Sequence, residues 1–248
     1  RRKRVFIVAK DISVFGTPQT SEPATFLDSE STITKALPVE SIPTGSLISE
    51  FQLEGDLAEL TENFDLGGKF SPFKKSGYMV NRHVFTSDVS AAEQSMGSLG
   101  SVLLPDEEVP SEYFVSEEQL SNWKYLKGAK REERTHTASG TKYFYAEGSM
   151  AFPDLQSNPS RTILTGEGGS SASRFKHIIQ TKDGRFRRLV PVELERLNGF
   201  PDNWTSTGMN GEAISDIKRA FFMGNALVVG VVERIGKQLA EDWSQVKD

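Results

Sequence analysis

Arg187-Arg188-Leu189-Val190-Pro191-Val192-Glu193-Leu194-Glu195-Arg196-Leu197-Asn198-Gly199-Phe200-Pro201-Asp202 carries a short helix with both of its punctuation marks. Pro191 suits the first helical position, where a missing N–H costs nothing and the fixed φ is already helical. Gly199 stands just past the last periodic residue, where a left-handed cap is wanted. Pro201 closes the run. The spacing predicts a helix over 191–198.

Towards the C-terminus, a second helix is predicted from about Ser215 to Leu239. Phe221, Phe222, Leu227, Val228, Val231, Val232 and Ile235 crowd its faces, so it is expected to be largely buried. Gly224-Asn225 interrupts it, and both residues disfavour a helix interior. That is either a break between two helices or a helix start beside something bound. Towards the N-terminus, residues 63–188 read as small, irregular β structure. Strand-like runs are Tyr78-Met79-Val80, Val102-Leu103-Leu104, Tyr143-Phe144-Tyr145, Thr162-Ile163-Leu164-Thr165 and His177-Ile178-Ile179-Gln180. Asp183-Gly184 follows the last as a hairpin turn. Ser116 to Leu126 reads as a short helix, with Ser116 and Gln119 in a capping-box pattern. Residues 10–62, rich in Ser, Thr, Pro and Glu, read as a long, partly mobile surface excursion. Before them, Val5-Phe6-Ile7-Val8-Ala9 reads as a buried strand already under way, with its sheet partners elsewhere. The expectation is a fragment, a processed chain or one half of a split protein.

The 248 residues are 37% hydrophobic and 25% charged, with mean hydropathy −0.40, an ordinary composition with enough apolar residues for a core. No stretch approaches the ~18–20 apolar residues of a membrane helix, and the apolar run after Arg4 is too short for a signal peptide. There is no cysteine, which excludes disulfides, thiolate metal sites and a cysteine nucleophile within this chain. His83, His136 and His177 are far apart, and no metal site is predicted. The net charge of −5 hides an asymmetry: residues 10–120 carry 6 positive and 19 negative charges, and residues 121–188 carry 13 positive and 6 negative. A basic block in an acidic protein suits a polyanion bound on one side. Lys124, Lys127, Lys130, Arg131 and Arg134, with Trp123 and Tyr125 between them, would share a face if helical. They are either a solubilising surface or phosphate contacts. Gly166-Glu167-Gly168-Gly169-Ser170-Ser171 is either a plain glycine-rich turn or a phosphate cradle.

Three segments in order resemble the C-terminal half of bacterial DNA cytosine-5 methyltransferases. Arg2-Lys3-Arg4-Val5-Phe6-Ile7-Val8-Ala9 is similar to that family's eighth motif. Residues 187–202 closely match the ninth, with Val190 where the family usually carries a capping Thr. Gly224-Asn225-Ala226-Leu227-Val228-Val229-Gly230-Val231 resembles the tenth. Pro159-Ser160-Arg161-Thr162-Ile163-Leu164-Thr165 resembles the Thr-Leu core of the family's target-recognition domain.

The resemblance implies an α/β fold, the C-terminal part of an S-adenosylmethionine-dependent methyltransferase with an irregular, β-rich recognition domain. Residues 1–9 would be a catalytic-domain strand, 10–62 a variable excursion, 63–188 the recognition domain, and 189–248 a helical return to the catalytic domain. It implies transfer of a methyl group from S-adenosyl-L-methionine to C5 of cytosine in double-stranded DNA. The cytosine must be flipped out, because its reacting faces lie in the stack. Arg4 matches the arginine that hydrogen-bonds the flipped cytosine, and Arg2 its partner. Asn225, Ala226 and Leu227 match the stretch that completes the cofactor pocket. Arg187, Glu193 and Arg196 match residues that tie the two domains. Arg161, Thr162, Leu164, Arg174 and Lys176 are candidate DNA contacts. The family's attacking cysteine would precede Arg1, so this chain is expected to be inactive alone and to need an N-terminal catalytic half or partner subunit. The setting implied is the bacterial cytoplasm at the nucleoid, in a restriction–modification system. The rival expectation is a non-catalytic DNA-binding specificity subunit.

Overall fold

A computed structural model describes residues 4–18, 22–42, 48–63, 73–92 and 97–246. They fall into two compact units, one comprising 97–229 and the other 4–92 with 230–246. Helices and sheets are mixed in the chain. No helix of the described residues is long and apolar enough to cross a membrane.

In the second unit, residues 4–10 form no strand, and Val5 and Ile7 are 84% and 86% exposed. The expected buried strand therefore has no sheet to join among the described residues; Val5 and Ile7 stay uncovered, and Phe6 and Val8 are half-buried. The stretch 10–62 is not a bare excursion. It holds α1 (Ile12–Phe15), α2 (Pro23–Thr25) running into a π-turn over Phe26–Glu30, α3 (Thr32–Ala36), strand β1 (Ser49–Gln52) and α4 (Leu57–Asn63). β1 pairs antiparallel with β3 (His83–Ser87), which pairs with β2 (Ser76–Val80), in the order β1-β3-β2. A boundary at residue 62 would cut this sheet. The β2–β3 turn places Asn81 and Arg82 at φ 49° and 67°, the twist a two-residue hairpin needs. Arg82 Nη1 donates to the Gly55 carbonyl, which steadies the unusual left-handed arginine.

The two ends of the chain meet in this unit. Asp242, buried on the last helix, accepts from Lys10 Nζ at 2.6 Å, Thr32 Oγ1 at 2.6 Å and Gln238 Nε2 at 3.0 Å. Burial opposes the Asp242 carboxylate, but these three donors outweigh it and hold its pKa below the usual range.

In the first unit, 3₁₀ turns at Leu99–Val102, Asp106–Glu108 and Ser111–Tyr113 precede α5 (Glu117–Lys127). Val102-Leu103-Leu104 is thus the exit of a turn, not a strand. Ser116 stands at the N-cap of α5 but makes no side-chain cap, so the capping box does not form. Trp123 is fully buried and fixes the helix to the core. Two hairpins follow: β4 (Lys130–Thr135) with β5 (Lys142–Glu147), and β6 (Ile179–Gln180) with β7 (Phe186–Arg187) around Gly184 at φ 89°. Of the run His177–Gln180 only the last two residues pair. Thr162–Thr165 forms no strand and lies as a loop.

Three helices complete the chain: α6 (Pro191–Leu197), α7 (Asp216–Asn225) and α8 (Val229–Ser244). The break between two helices falls at 226–228, directly after Gly224-Asn225, which end α7. The stretch is less buried than its apolar content suggested. Met223 and Ala220 enter the core, whereas Phe221, Leu227, Val228 and Val232 are 42–49% exposed, because the described residues supply nothing that covers them fully. The core gathers Leu99, Ile163, Ile179, Leu189, Leu194, Ala220 and Met223, with Val190 in a smaller cluster beside Val109 and Tyr113. Val190 caps α6 without a hydroxyl. Its N–H still donates to Glu193 Oε2 at 2.9 Å, so half of the capping box survives and the Val side chain gains packing.

Candidate functional site

α6 is short, yet its polar side chains reach four other segments. Glu193, fully buried, forms a two-pronged pair with Arg187 at 2.8 and 3.0 Å. It also accepts from Leu104 N–H at 2.9 Å. Arg187, also fully buried, donates onward to Asp106 Oδ1 at 3.2 Å and to the Leu104 and Arg188 carbonyls. Glu195 accepts from Asn203 N–H at 2.7 Å, Thr205 N–H at 3.0 Å, the Thr205 hydroxyl and Arg219 Nη2 at 3.0 Å. Arg196 grips Asp202 at 2.6 and 2.7 Å and donates to the Val102 carbonyl at 3.1 Å. Asn198 donates to the Met223 carbonyl at 3.0 Å and accepts from Val229 N–H at 2.8 Å. Buried charges persist only when paired and hydrogen-bonded on every side, and here they are. The helix is a hub that joins the 102–106 segment, β7, the 202–205 turn and α7.

The loop 160–171 lies against α7. A Cβ on Gly224 would meet Thr165 N at 2.4 Å, Leu164 C at 2.5 Å and Thr165 Cα at 2.6 Å. Gly168 meets α7 in the same way, at Ala220 Cβ and Ile217 Cα. Glycine at both positions lets backbone touch backbone.

A family model for C-5 cytosine-specific DNA methylases matches residues 1–241. The chain belongs to that family. It is also similar to the type II methyltransferase M.Sau3AI of Staphylococcus aureus, at 33% identity over 250 residues that take in all of this chain. The chain spans 57% of that relative's length.

Within this methylase-family chain, the expected DNA contacts divide. Arg161 is held by Asp154 at 2.6 and 2.9 Å and donates to the Phe175 and Lys176 carbonyls. Arg174 donates to the carbonyls of Leu126, Gly128 and Gly148 and pairs with Glu147 at 3.1 Å. Lys176 is buried and donates to the carbonyls of Gly169 and Ser171 at 2.6 and 2.7 Å. Burial, with Arg188 nearby, pushes its pKa down. Arg161 and Lys176 hold the loop, Arg174 ties the end of α5 to the end of β5, and the donors of all three are directed at protein acceptors. Leu164 stands at its exposed side, 36% accessible, and Thr162 is half-buried. The glycine-rich turn likewise presents the carbonyls of Gly168, Gly169 and Ser171 to Arg188 and Lys176, the opposite polarity to a phosphate cradle.

Asp154 escaped the sequence reading, and His177, singled out there only as no metal ligand and as part of a strand-like run, joins it in this scaffold. Asp154 accepts from Arg161, Lys127 and Ile178 N–H. Burial raises its pKa, but Arg161 and Lys127 more than offset that, and the carboxyl sits below its usual range. His177, fully buried, bridges Glu167 Oε1 at 2.8 Å through Nδ1 and Ser160 Oγ at 3.0 Å through Nε2. A depressed acid stabilises the fold above its unfolded pKa and loses that contribution as pH falls through the folded value. Asp154→Asn is therefore expected to flatten the acid limb of Tm against pH below about 4; an unchanged acid limb would show that Asp154 does not set it.

The five cations from Lys124 to Arg134 do not share a helix. α5 ends at Lys127, which is buried against Asp154 at 3.3 Å, and Lys130, Arg131 and Arg134 lie on β4. Arg4 is exposed, and Arg2 lies outside the described residues. Asn225 ends α7 and donates to the Phe221 carbonyl at 3.2 Å. Ala226 packs on the core, and Leu227 is 42% exposed. An amide beside an aliphatic surface fits one flank of a cofactor carrying a heteroaromatic ring.

Proposed function

We propose that this chain is the C-terminal, recognition-and-closing half of a DNA cytosine-5 methyltransferase of a restriction–modification system. Members of the family use S-adenosyl-L-methionine as the methyl donor. The α6 hub supports the reading: its sequence resembles the ninth motif, and its buried pairs tie residues 102–106 and Arg187 to the helices that follow. The tie between Lys10 and Asp242, 232 positions apart, adds support. It joins the stretch after the eighth motif to the helix after the tenth.

On this reading Arg4 donates to the flipped cytosine, where a guanidinium suits a carbonyl that gains charge during attack. Arg2 stands as its partner. Asn225, Ala226 and Leu227 flank the cofactor, which supplies the methyl group. Thr162 and Leu164 face the DNA, Arg161 and Lys176 act through the loop that they hold, and Arg174 acts by tying α5 to the end of β5. On the same reading the nucleophilic thiolate comes from the other half of the enzyme, since this chain holds no cysteine.

The test is methyl incorporation from labelled S-adenosyl-L-methionine into duplex DNA. The chain alone is expected to give none, and to give transfer once a polypeptide carrying the attacking cysteine is supplied. Transfer by the chain alone would overturn the division of labour. DNA binding without transfer in any combination would point to a specificity subunit.

A further inference from the structure

We propose that the outward face of the β4–β5 hairpin is a second duplex-DNA contact, separate from the 160–171 loop. This rests on the DNA-recognition reading above. The hairpin has two unlike faces. One carries Lys130, Glu132, Arg134, Tyr145 and Glu147 and is turned to α5 and Arg174. Lys130 sits over the Tyr125 ring at 4.4 Å, Glu132 meets the Tyr125 hydroxyl at 3.3 Å, and Glu147 pairs with Arg174 at 3.1 Å. The other face carries Arg131, Glu133, Thr135, Lys142, Phe144 and Ala146, all exposed.

That open face is preorganised. The Arg131 guanidinium lies over the Phe144 ring at 4.9 Å and has no carboxylate partner among the described residues. Phe144 is 63% exposed, and Lys142 reaches Glu133 at 2.6 Å. A planar cation stacked on an aromatic ring keeps its N–H edge free to meet phosphate or a base edge. The duplex is the fitting occupant for two reasons. The first is charge: Lys127, Arg161, Arg174, Lys176, Arg187 and Arg188 of the basic block are turned inward onto carboxylates and carbonyls. Its exposed cations are Lys124, Arg131, Arg134 and Lys142 on α5 and this hairpin, with Lys182 and Arg185 on the β6–β7 turn. The second is shape: the B-DNA major groove, about 12 Å wide, admits a two-stranded β-ribbon.

The experiment is fluorescence anisotropy of the full chain with a random-sequence duplex across 50–200 mM salt. The double variant Arg131→Ala/Lys142→Ala is expected to lower the slope of log K against log salt by about 2 and to weaken binding about tenfold or more at 100 mM. Phe144→Ala is expected to weaken binding several-fold with the slope unchanged. Lys182→Ala/Arg185→Ala makes the same change in net charge and is expected to leave the slope within about 0.5 of the unsubstituted chain. Equal losses in the two double variants, or no loss in the hairpin variants while the unsubstituted chain binds, would overturn the hairpin contact alone. Failure of the unsubstituted chain to bind any duplex would overturn the DNA-recognition reading and this inference with it. A Tm unchanged in the hairpin variants separates lost contact from lost fold.

Discussion

Glu193→Ala is expected to cost the 97–229 unit ~3–5 kcal/mol, the cost of removing one partner of a buried ion pair. The reason is what the alanine leaves behind. Arg187 stays fully buried with a charge that only Asp106, at 3.2 Å, still answers. The N–H groups of Leu104 and Val190 lose the acceptors they hold at 2.9 Å. Each unsatisfied buried donor costs about 1–3 kcal/mol. Against a typical total of about 5–15 kcal/mol, that is enough to lower Tm by on the order of 10 °C. Thermal denaturation followed by circular dichroism measures it. The double change Arg187→Met/Glu193→Leu removes both charges and is expected to recover the part of the loss that comes from the unpaired Arg187, but not the part from the Leu104 and Val190 N–H groups, which still lack their acceptors. A Glu193→Ala protein within about 1 kcal/mol of the parent would show that the hub does not hold this unit together.

The readable parts of this chain were those where local chemistry alone decides the structure. Pro191 and Gly199 bracket α6 as their backbone preferences demand, with Gly199 at φ 78°. Asp183-Gly184 turns the β6–β7 hairpin for the same reason. The β2–β3 turn was not readable, because Asn81-Arg82 lacks the glycine that marks such a turn, and a carbonyl far away in sequence holds the arginine in place. The candidate site is a different case. Arg161, Arg174 and Lys176 are basic residues in a recognition-domain slot, and by type they read as phosphate contacts. Their donors instead meet Asp154, Glu147 and backbone carbonyls 5 to 48 positions away in the chain. Whether a cation faces inward or outward is decided by the fold around it, which no local pattern reports. The same holds for Lys127, one turn from the exposed Lys124 yet buried against an acid 27 positions on.

Gly224→Ala and Gly236→Ala are expected to have opposite signs, although both place a methyl group on a C-terminal helix. At Gly236, inside α8, nothing lies within 4 Å of the added Cβ. Alanine there is expected to stabilise by about 0.5–1 kcal/mol through helix propensity alone. At Gly224 the same atom lands 2.4–2.6 Å from the backbone of Leu164 and Thr165. Backbone cannot swing aside as a side-chain tip does, so the 160–171 loop or the end of α7 must shift, at a cost of about 1–3 kcal/mol or more. The loop carries Thr162 and Leu164 on one side and is nailed by Lys176 and Arg161 on the other. Its displacement is therefore expected to reduce DNA affinity by more than the loss of stability accounts for. Tm and duplex-binding curves for the two variants, measured side by side, decide it. A Gly224→Ala protein as stable as its parent and binding DNA as tightly would mean that the loop does not need its seat against α7.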